Sequence, residues 1–155
     1  MRDKGGLFSF QGAFALIAML FTGMVVVYSA SSFAGKTLEN EKNAEFERKT
    51  IFIADSMVKN HNVENPFLGA AVFDPSLGRV RPNAVSLEAL RNAGREQAQI
   101  AGITVKKIQA MHENGEKETI FDYGGKNFSE CLAAQRFIVD WGKNRKTLLE
   151  VTACE

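Results

Sequence analysis

The chain has 155 residues, 45% of them hydrophobic and 24% charged, which fits about one globular domain plus an apolar segment. Its formal net charge of +1 excludes the broad basic surface that binding along a phosphate backbone needs, so no nucleic-acid partner is expected.

The N-terminal part of the chain carries no charged side chain between Lys4 and Lys36, and residues 13–28 are almost wholly apolar. With its flanking residues the segment reaches the roughly 20 residues that a transmembrane helix needs. We therefore predict a cytoplasmic leader at residues 1–12, a transmembrane helix at 13–34 and an extracellular domain at 35–155. Arg2 and Lys4 favour this orientation, with the N-terminus on the cytoplasmic side of the cell membrane.

A cleavable secretory signal is the alternative interpretation of this segment. Its basic start, apolar stretch and the tripeptide Ser32-Phe-Ala34 match the parts of such a signal, with cleavage near Ala34. The protein would then be a secreted soluble binding domain. The apolar stretch is longer than the roughly 7–15 residues of a typical signal core, which favours the transmembrane helix.

The helical pattern continues past the apolar segment, because residues 37–59 contain neither proline nor glycine. Phe46, Thr50, Ile53 and Met57 recur at helical spacing and predict one apolar face. We expect one essentially continuous helix from Ala13 to Lys59, with this face packed on a sheet.

The motif Lys4-Gly-Gly-Leu-Phe-Ser-Phe-Gln11-Gly-Ala-Phe, which leads into the apolar run, resembles the start of archaeal type IV pilin-like surface proteins with a class III signal peptide. The resemblance implies leader cleavage near Gly6 or before Gln11, other pilin-like subunits as partners, and a long helix packed on a small antiparallel sheet. Pilins usually carry a glutamate a few residues into the mature helix, whereas here no acidic residue lies between Asp3 and Glu39.

The region after the long helix contains all three prolines between Asn62 and Val85, which predicts an ordered crossing loop. Ser86 has the character of an N-cap for a second helix, Leu87 to Ala101, which Gly102 would end.

Strand periodicity begins after Gly102. The segments 103–111 and 118–123 flank Asn114-Gly115, which predicts a hairpin with a two-residue turn, Ile108 opposite Phe121 and Ala110 opposite Thr119. A second hairpin is predicted with two inward-facing sets of residues: Phe137, Val139 and Trp141, then Thr147, Leu149 and Val151. The predicted fold is α+β, with the amphipathic half of the helix on about four antiparallel strands.

Cys131 and Cys154 bracket the second hairpin, and a disulfide between them would fasten the end of the domain. The alternative is two unrelated buried thiols. Asn127-Phe-Ser129 is the one N-glycosylation sequon, which becomes meaningful if the domain is exported.

Motifs for catalysis, cofactor binding and metal binding are absent from the sequence. Ser56 and Lys59 have the S-x-x-K spacing of penicillin-recognising enzymes, but the S-D-N and K-T-G partner motifs are missing. We expect His61 and His112 to be solvated surface residues. The sequence thus predicts no enzyme, cofactor or small-molecule substrate, and favours a membrane-anchored structural or interaction protein, a minor pilin-like subunit or an anchored relative.

Overall fold

The computed structural model describes residues 6–125 and 127–155, so residues 1–5 of the predicted leader lie outside the described chain. The chain divides into two compact units, Met1–Ala44 and Glu45–Glu155. Helix α1 covers Gly6–Lys59 and passes through Gly23 and Gly35 without interruption. The prediction of one long N-terminal helix is confirmed.

The second half of α1 buries one face within the Glu45–Glu155 unit. Phe46, Ile53 and Met57 are each at most 2% exposed. Thr50 lies in the same stripe, and its hydroxyl donates to the Phe46 carbonyl at 3.0 Å, so a polar side chain is buried there without an unpaired group. Glu45, on the opposite side, is exposed.

The domain contains one mixed sheet of seven strands, larger than the four predicted. Its strands are β1 (Ala71–Asp74), β2 (Arg79–Val85), β3 (Gln99–Ile100), β4 (Ile103–His112), β5 (Lys117–Asp122), β6 (Cys131–Asp140) and β7 (Arg145–Cys154). The order is β1-β2-β6-β7-β4-β3, and β5 pairs with β4. Every pairing is antiparallel except that of β2 with β6. The α+β class is confirmed, whereas the small all-antiparallel sheet is corrected.

Two of the additional strands, β1 and β2, lie in the segment that we predicted to be a loop. Pairing between them shifts from Ala71↔Val85 to Val72↔Arg81, so that residues 82–84 form a bulge. Pro82 therefore occupies a position where no backbone N–H is needed for the ladder, and Asn83 takes a positive φ of 64°. The bulge explains how a proline-containing segment can form a strand.

The second helix is shorter than predicted. Helix α2 covers only Leu87–Arg91, and a 3₁₀ turn, Arg95–Ala98, leads into β3. The Ser86 hydroxyl accepts a hydrogen bond from the Ala89 N–H at 3.3 Å, which confirms the predicted N-cap. The extension to Ala101 was wrong because Asn92 and Gly94 are weak helix formers that interrupt the segment.

The β4–β5 hairpin occurs where it was predicted, but its turn differs. The Gly115 N–H donates to the His112 carbonyl, and only Gly115 has a positive φ, which makes a three-residue loop. Ile108 pairs with Phe121 as predicted. A register shift beyond this pair places Ala110 opposite Glu118 instead of Thr119.

The β6–β7 hairpin also forms as predicted, but β6 faces the other way. Leu149 and Val151 are buried, and the residues opposite them on β6 are Arg136 and Ala134. Phe137 belongs to the alternate set and is 82% exposed. Because side chains alternate along a strand, an error of one residue moves the whole set to the other face. Three residues predicted to face inward are affected: Phe137, Val139 and Trp141.

The core forms between the buried stripe of α1 and the inner face of the sheet. Ile53 and Met57 belong to one buried cluster with Val105, Leu149 and Val151. The helix-on-sheet arrangement is confirmed within the domain, although Val139 is not part of this core.

Replacing Ile53 with alanine should lower the free energy of unfolding of residues 35–155 by about 2–5 kcal/mol, because the buried side chain would leave a cavity. Urea denaturation would measure the change. Glu47→Ala, on the exposed side of α1, is the matched control and should shift the free energy by less than about 0.5 kcal/mol. Equal effects of the two changes would contradict the packing described here.

Candidate functional site

The segment 13–34 of α1 is a continuous apolar surface. Its large side chains are exposed on all sides of the helix; Phe14, Met19 and Met24, for example, are 70–76% exposed. A helix of 22 residues is about 33 Å long, close to the thickness of a bilayer core. The helix is thus long and apolar enough to cross a membrane, a property that it shares with signal sequences near an N-terminus.

Two of the hydroxyl groups in this segment are satisfied within the helix itself. The Thr22 hydroxyl donates to the Ala18 carbonyl at 2.5 Å, and the Ser31 hydroxyl donates to the Val27 carbonyl at 2.8 Å. These bonds matter because hydrocarbon offers no partner for a free hydroxyl. The segment could therefore enter lipid without leaving these two hydroxyls unpaired.

The two residues at which leader cleavage is predicted lie at the beginning of α1. Gly6 is the first residue of the helix, and Gln11 follows in its second turn. Cleavage at either residue stays a prediction.

The predicted disulfide is present. Cys131 and Cys154 face each other across the β6–β7 ladder with a Cα–Cα distance of 4.1 Å and form a covalent bridge. Nearby, the Ser129 hydroxyl donates to the Glu155 carbonyl at 2.9 Å. Asn127 is exposed, and its glycosylation stays a prediction.

The S-x-x-K residues are not brought together as a reactive pair. Ser56 is buried, whereas the Lys59 ammonium lies 2.8 Å from the Asp55 carboxylate on the exposed side. The hydrogen bonds from Lys59 and then Arg136 hold the pKa of Asp55 below its usual value. Among the described residues, no group of His, Cys, Asp and Glu side chains is arranged to hold a metal ion.

The two histidines have different environments. His61 is exposed, as predicted. His112 is 5% exposed, so the prediction of a solvated side chain was wrong. Its Nδ1 lies 3.2 Å from the Thr147 hydroxyl, and its Nε2 lies 2.7 Å from Arg145 Nη2. His112 is buried because side chains alternate between the two faces along β4, and His112 occupies an inward position.

Glu118 joins the same cluster, with its carboxylate 3.2 Å from His112 Nε2 and bonded to the Arg91 guanidinium. Burial raises the pKa of Glu118, but the hydrogen bond with His112 and the charge of Arg91 outweigh burial and lower this pKa overall. The cluster therefore connects α2 with the ends of β4, β5 and β7 through charged and polar contacts.

The domain also has a cavity of about 370 Å³ beside β1, which we call the aromatic groove. The residues that line it include His61, Phe73, Ser86, Trp141 and residues 69–72. Gly69 lets two chain segments approach closely there, because a Cβ at this position would lie 2.7 Å from the Asn62 nitrogen. The backbone N–H of Trp141 donates to the Val85 carbonyl at 3.0 Å and fixes the residue beside β2.

A charged pair borders the aromatic groove at Trp141. The Arg81 guanidinium lies 5.0 Å from the Trp141 ring centroid and donates to the Asp74 carboxylate, with Nε 2.7 Å from Oδ2. The Ser76 hydroxyl, 2.6 Å from the other carboxylate oxygen, and the Arg81 bonds lower the pKa of Asp74 to about 2. Asp74 is thus ionised and holds Arg81 against the indole ring.

Sequence reasoning missed the aromatic groove. Phe73 and Trp141 belong to β1 and to the turn after β6, and they meet at one site only because β2 lies between these strands. The sequence did contain one signal for it, a tryptophan at the start of a segment of turn-forming residues, Trp141-Gly-Lys-Asn144.

Comparisons of the chain with protein-family models, with curated proteins and with solved structures found no match.

Removing either partner of Asp74, with Ser76→Ala or Arg81→Gln, should raise its pKa from about 2 toward the ordinary value of about 3.9. Carboxyl ¹³C NMR titration would measure this pKa. Because the folded-state pKa is depressed, ionised Asp74 stabilises the fold above about pH 4, and that stabilisation is lost as the pH falls toward 2.

The control for this titration is Lys117→Gln on β5, at the opposite side of the sheet from β1, which should leave the pKa of Asp74 unchanged. An Asp74 pKa that stayed near 2 in Arg81→Gln would show that the guanidinium does not hold the carboxylate.

Proposed function

We propose that this protein is a membrane-anchored extracellular structural or interaction protein, a minor pilin-like subunit or an anchored relative of one. The observation that carries the proposal is the segment 13–34, which exposes large apolar side chains along its length and contains no charge. Such a surface is stable in hydrocarbon and costly in water.

The architecture supports the pilin-like part of the proposal. A long N-terminal helix, with a sheet packed on the amphipathic stretch of its second half, is compatible with a pilin-like fold. The motif from Lys4 to Phe14 resembles the start of archaeal type IV pilin-like proteins. Because no acidic residue follows before Glu39, a minor or anchored role fits better than that of a major filament subunit.

The disulfide supports an extracellular position for the domain. Disulfides persist in oxidising compartments outside the cytoplasm, and the Cys131–Cys154 bridge joins two neighbouring strands of the sheet. Arg2 and Lys4 before the apolar segment agree with this orientation, since basic residues favour the cytoplasmic side. The proposed partners are membrane lipid along residues 13–34 and other pilin-like subunits.

The full-length chain should sediment with membranes and require detergent for release, whereas a chain starting at Gly35 should be soluble. Val25→Arg, near the middle of the apolar segment, should shift the full-length chain toward the soluble fraction, because a central arginine costs about 2.5–3.5 kcal/mol on insertion scales. Val63→Arg is the matched control, since Val63 is 83% exposed in the domain. Recovery of the unaltered full-length chain without detergent would contradict the anchor.

The mass of the mature N-terminus separates this proposal from a secreted binding domain. An intact chain, or one cut near Gly6 or before Gln11, retains the apolar helix and supports the anchor. A chain cut near Ala34 and found in the medium would support the secreted form instead.

A further inference from the structure

The aromatic groove has the dimensions and chemistry of a ligand site. Its volume of about 370 Å³ lies within the range of roughly 300–1,000 Å³ that is usual for small-molecule pockets. Of the described residues that line it, none is Asp, Glu, Lys or Arg. The adjacent Asp74 and Arg81 neutralise each other, so the groove is suited to an uncharged ligand.

Two aromatic side chains border the groove and remain partly open to solvent. Trp141 is 47% exposed and Phe73 is 43% exposed, although both have fixed neighbours. Arg81 covers one part of the Trp141 ring system, and the His61 ring lies 5.9 Å from the Phe73 ring, centroid to centroid. Because these contacts already hold the two half-exposed rings in place, the rings lose little conformational entropy when a ligand packs on their apolar surfaces.

Hydrogen-bonding groups with unused capacity lie beside these platforms. Within the described chain, the Trp141 indole N–H has no acceptor. The Ser86 hydroxyl accepts from Ala89 and so retains its own proton for donation. His61 Nδ1 lies 2.8 Å from the Ala71 carbonyl, so this nitrogen donates its proton there and Nε2 is the ring nitrogen left for a ligand. The groove therefore offers both donors and an acceptor, the combination that hydroxyl groups require.

Strand addition by a peptide does not fit this site, even though β1 is at the edge of the sheet. The Asn60 carbonyl accepts from the Ala71 N–H at 2.9 Å, and His61 bonds to the Ala71 carbonyl. These contacts occupy the backbone N–H and C=O of Ala71, the first of the four residues of β1, so only a very short stretch of edge is left for pairing with another strand.

We propose that the aromatic groove binds a neutral saccharide, with a pyranose ring against Phe73 and Trp141. The axial C–H groups of such a ring give it an apolar face for the aromatic side chains, while its hydroxyls match the free groups of Trp141, Ser86 and His61. The site is independent of the proposed membrane anchor, because all of its residues belong to the Glu45–Glu155 unit.

Trp141 is the only tryptophan in the chain, so its fluorescence reports on the groove directly. The full-length chain in phosphatidylcholine nanodiscs, which carry no sugar headgroup, would be titrated with methyl glucopyranoside, methyl mannopyranoside and N-acetylglucosamine. We expect a saturable change in Trp141 fluorescence for at least one of these sugars, with a Kd of roughly millimolar order. Amide NMR shifts at Ala71, Val72 and Ser86 should report the same Kd.

Phe73→Ala should raise this Kd roughly two- to tenfold through loss of one platform. Phe137→Ala, which removes an equally large ring that is 82% exposed elsewhere on the sheet, should leave the Kd unchanged. Mannitol has hydroxyls but no ring, and it should produce no saturable change.

Three results would overturn the proposal. The first is no saturable change with any of the three sugars up to about 100 mM, well above a millimolar Kd. The second is an equal response to mannitol, and the third is saturable binding of cyclohexanol without binding of any sugar, which would make the groove a site for a purely apolar ligand. Because the NMR shifts are measured on the unaltered chain, these results do not depend on the folding of a variant.

Discussion

The domain depends on the burial of one helical stripe against the inner face of a sheet. Phe46, Ile53 and Met57 cover Leu149 and Val151, and neither surface would be stable in water alone. The interaction also fixes which side of the sheet is free. With the inner face closed by α1, any partner of the sheet must approach its outer face, its edges or the cavity beside β1, where the aromatic groove lies.

Local patterns predicted the elements whose periodicity is strong and unbroken. The stripe of α1, the Ser86 cap and the β4–β5 hairpin could all be predicted because each depends on residues close in sequence. The orientation of β6 could not, since both of its alternating sets contain apolar residues. Pairing with the flanking strands β2 and β7 decides that orientation, and these pairings bring distant parts of the chain together.

The same contrast between local and long-range contacts decides which sites could be predicted from the sequence. The disulfide was predictable because both cysteines belong to one hairpin, whose register places them opposite each other. The environment of His112 was not, since its partners Thr147 and Arg145 come from β7. The aromatic groove depends on still more distant contacts. Its residues come from the segment after α1, from β1 and from the turn after β6, and only the complete sheet brings them together.

The position of β7 constrains how the domain can form during synthesis. This strand lies between β6 and β4 in the middle of the sheet, although it is the last of the seven along the chain. The apolar stripe of α1 therefore leaves the ribosome long before Leu149 and Val151 can cover it. Until then this apolar helical surface is exposed and prone to aggregation, because the strand that buries it has not yet been made.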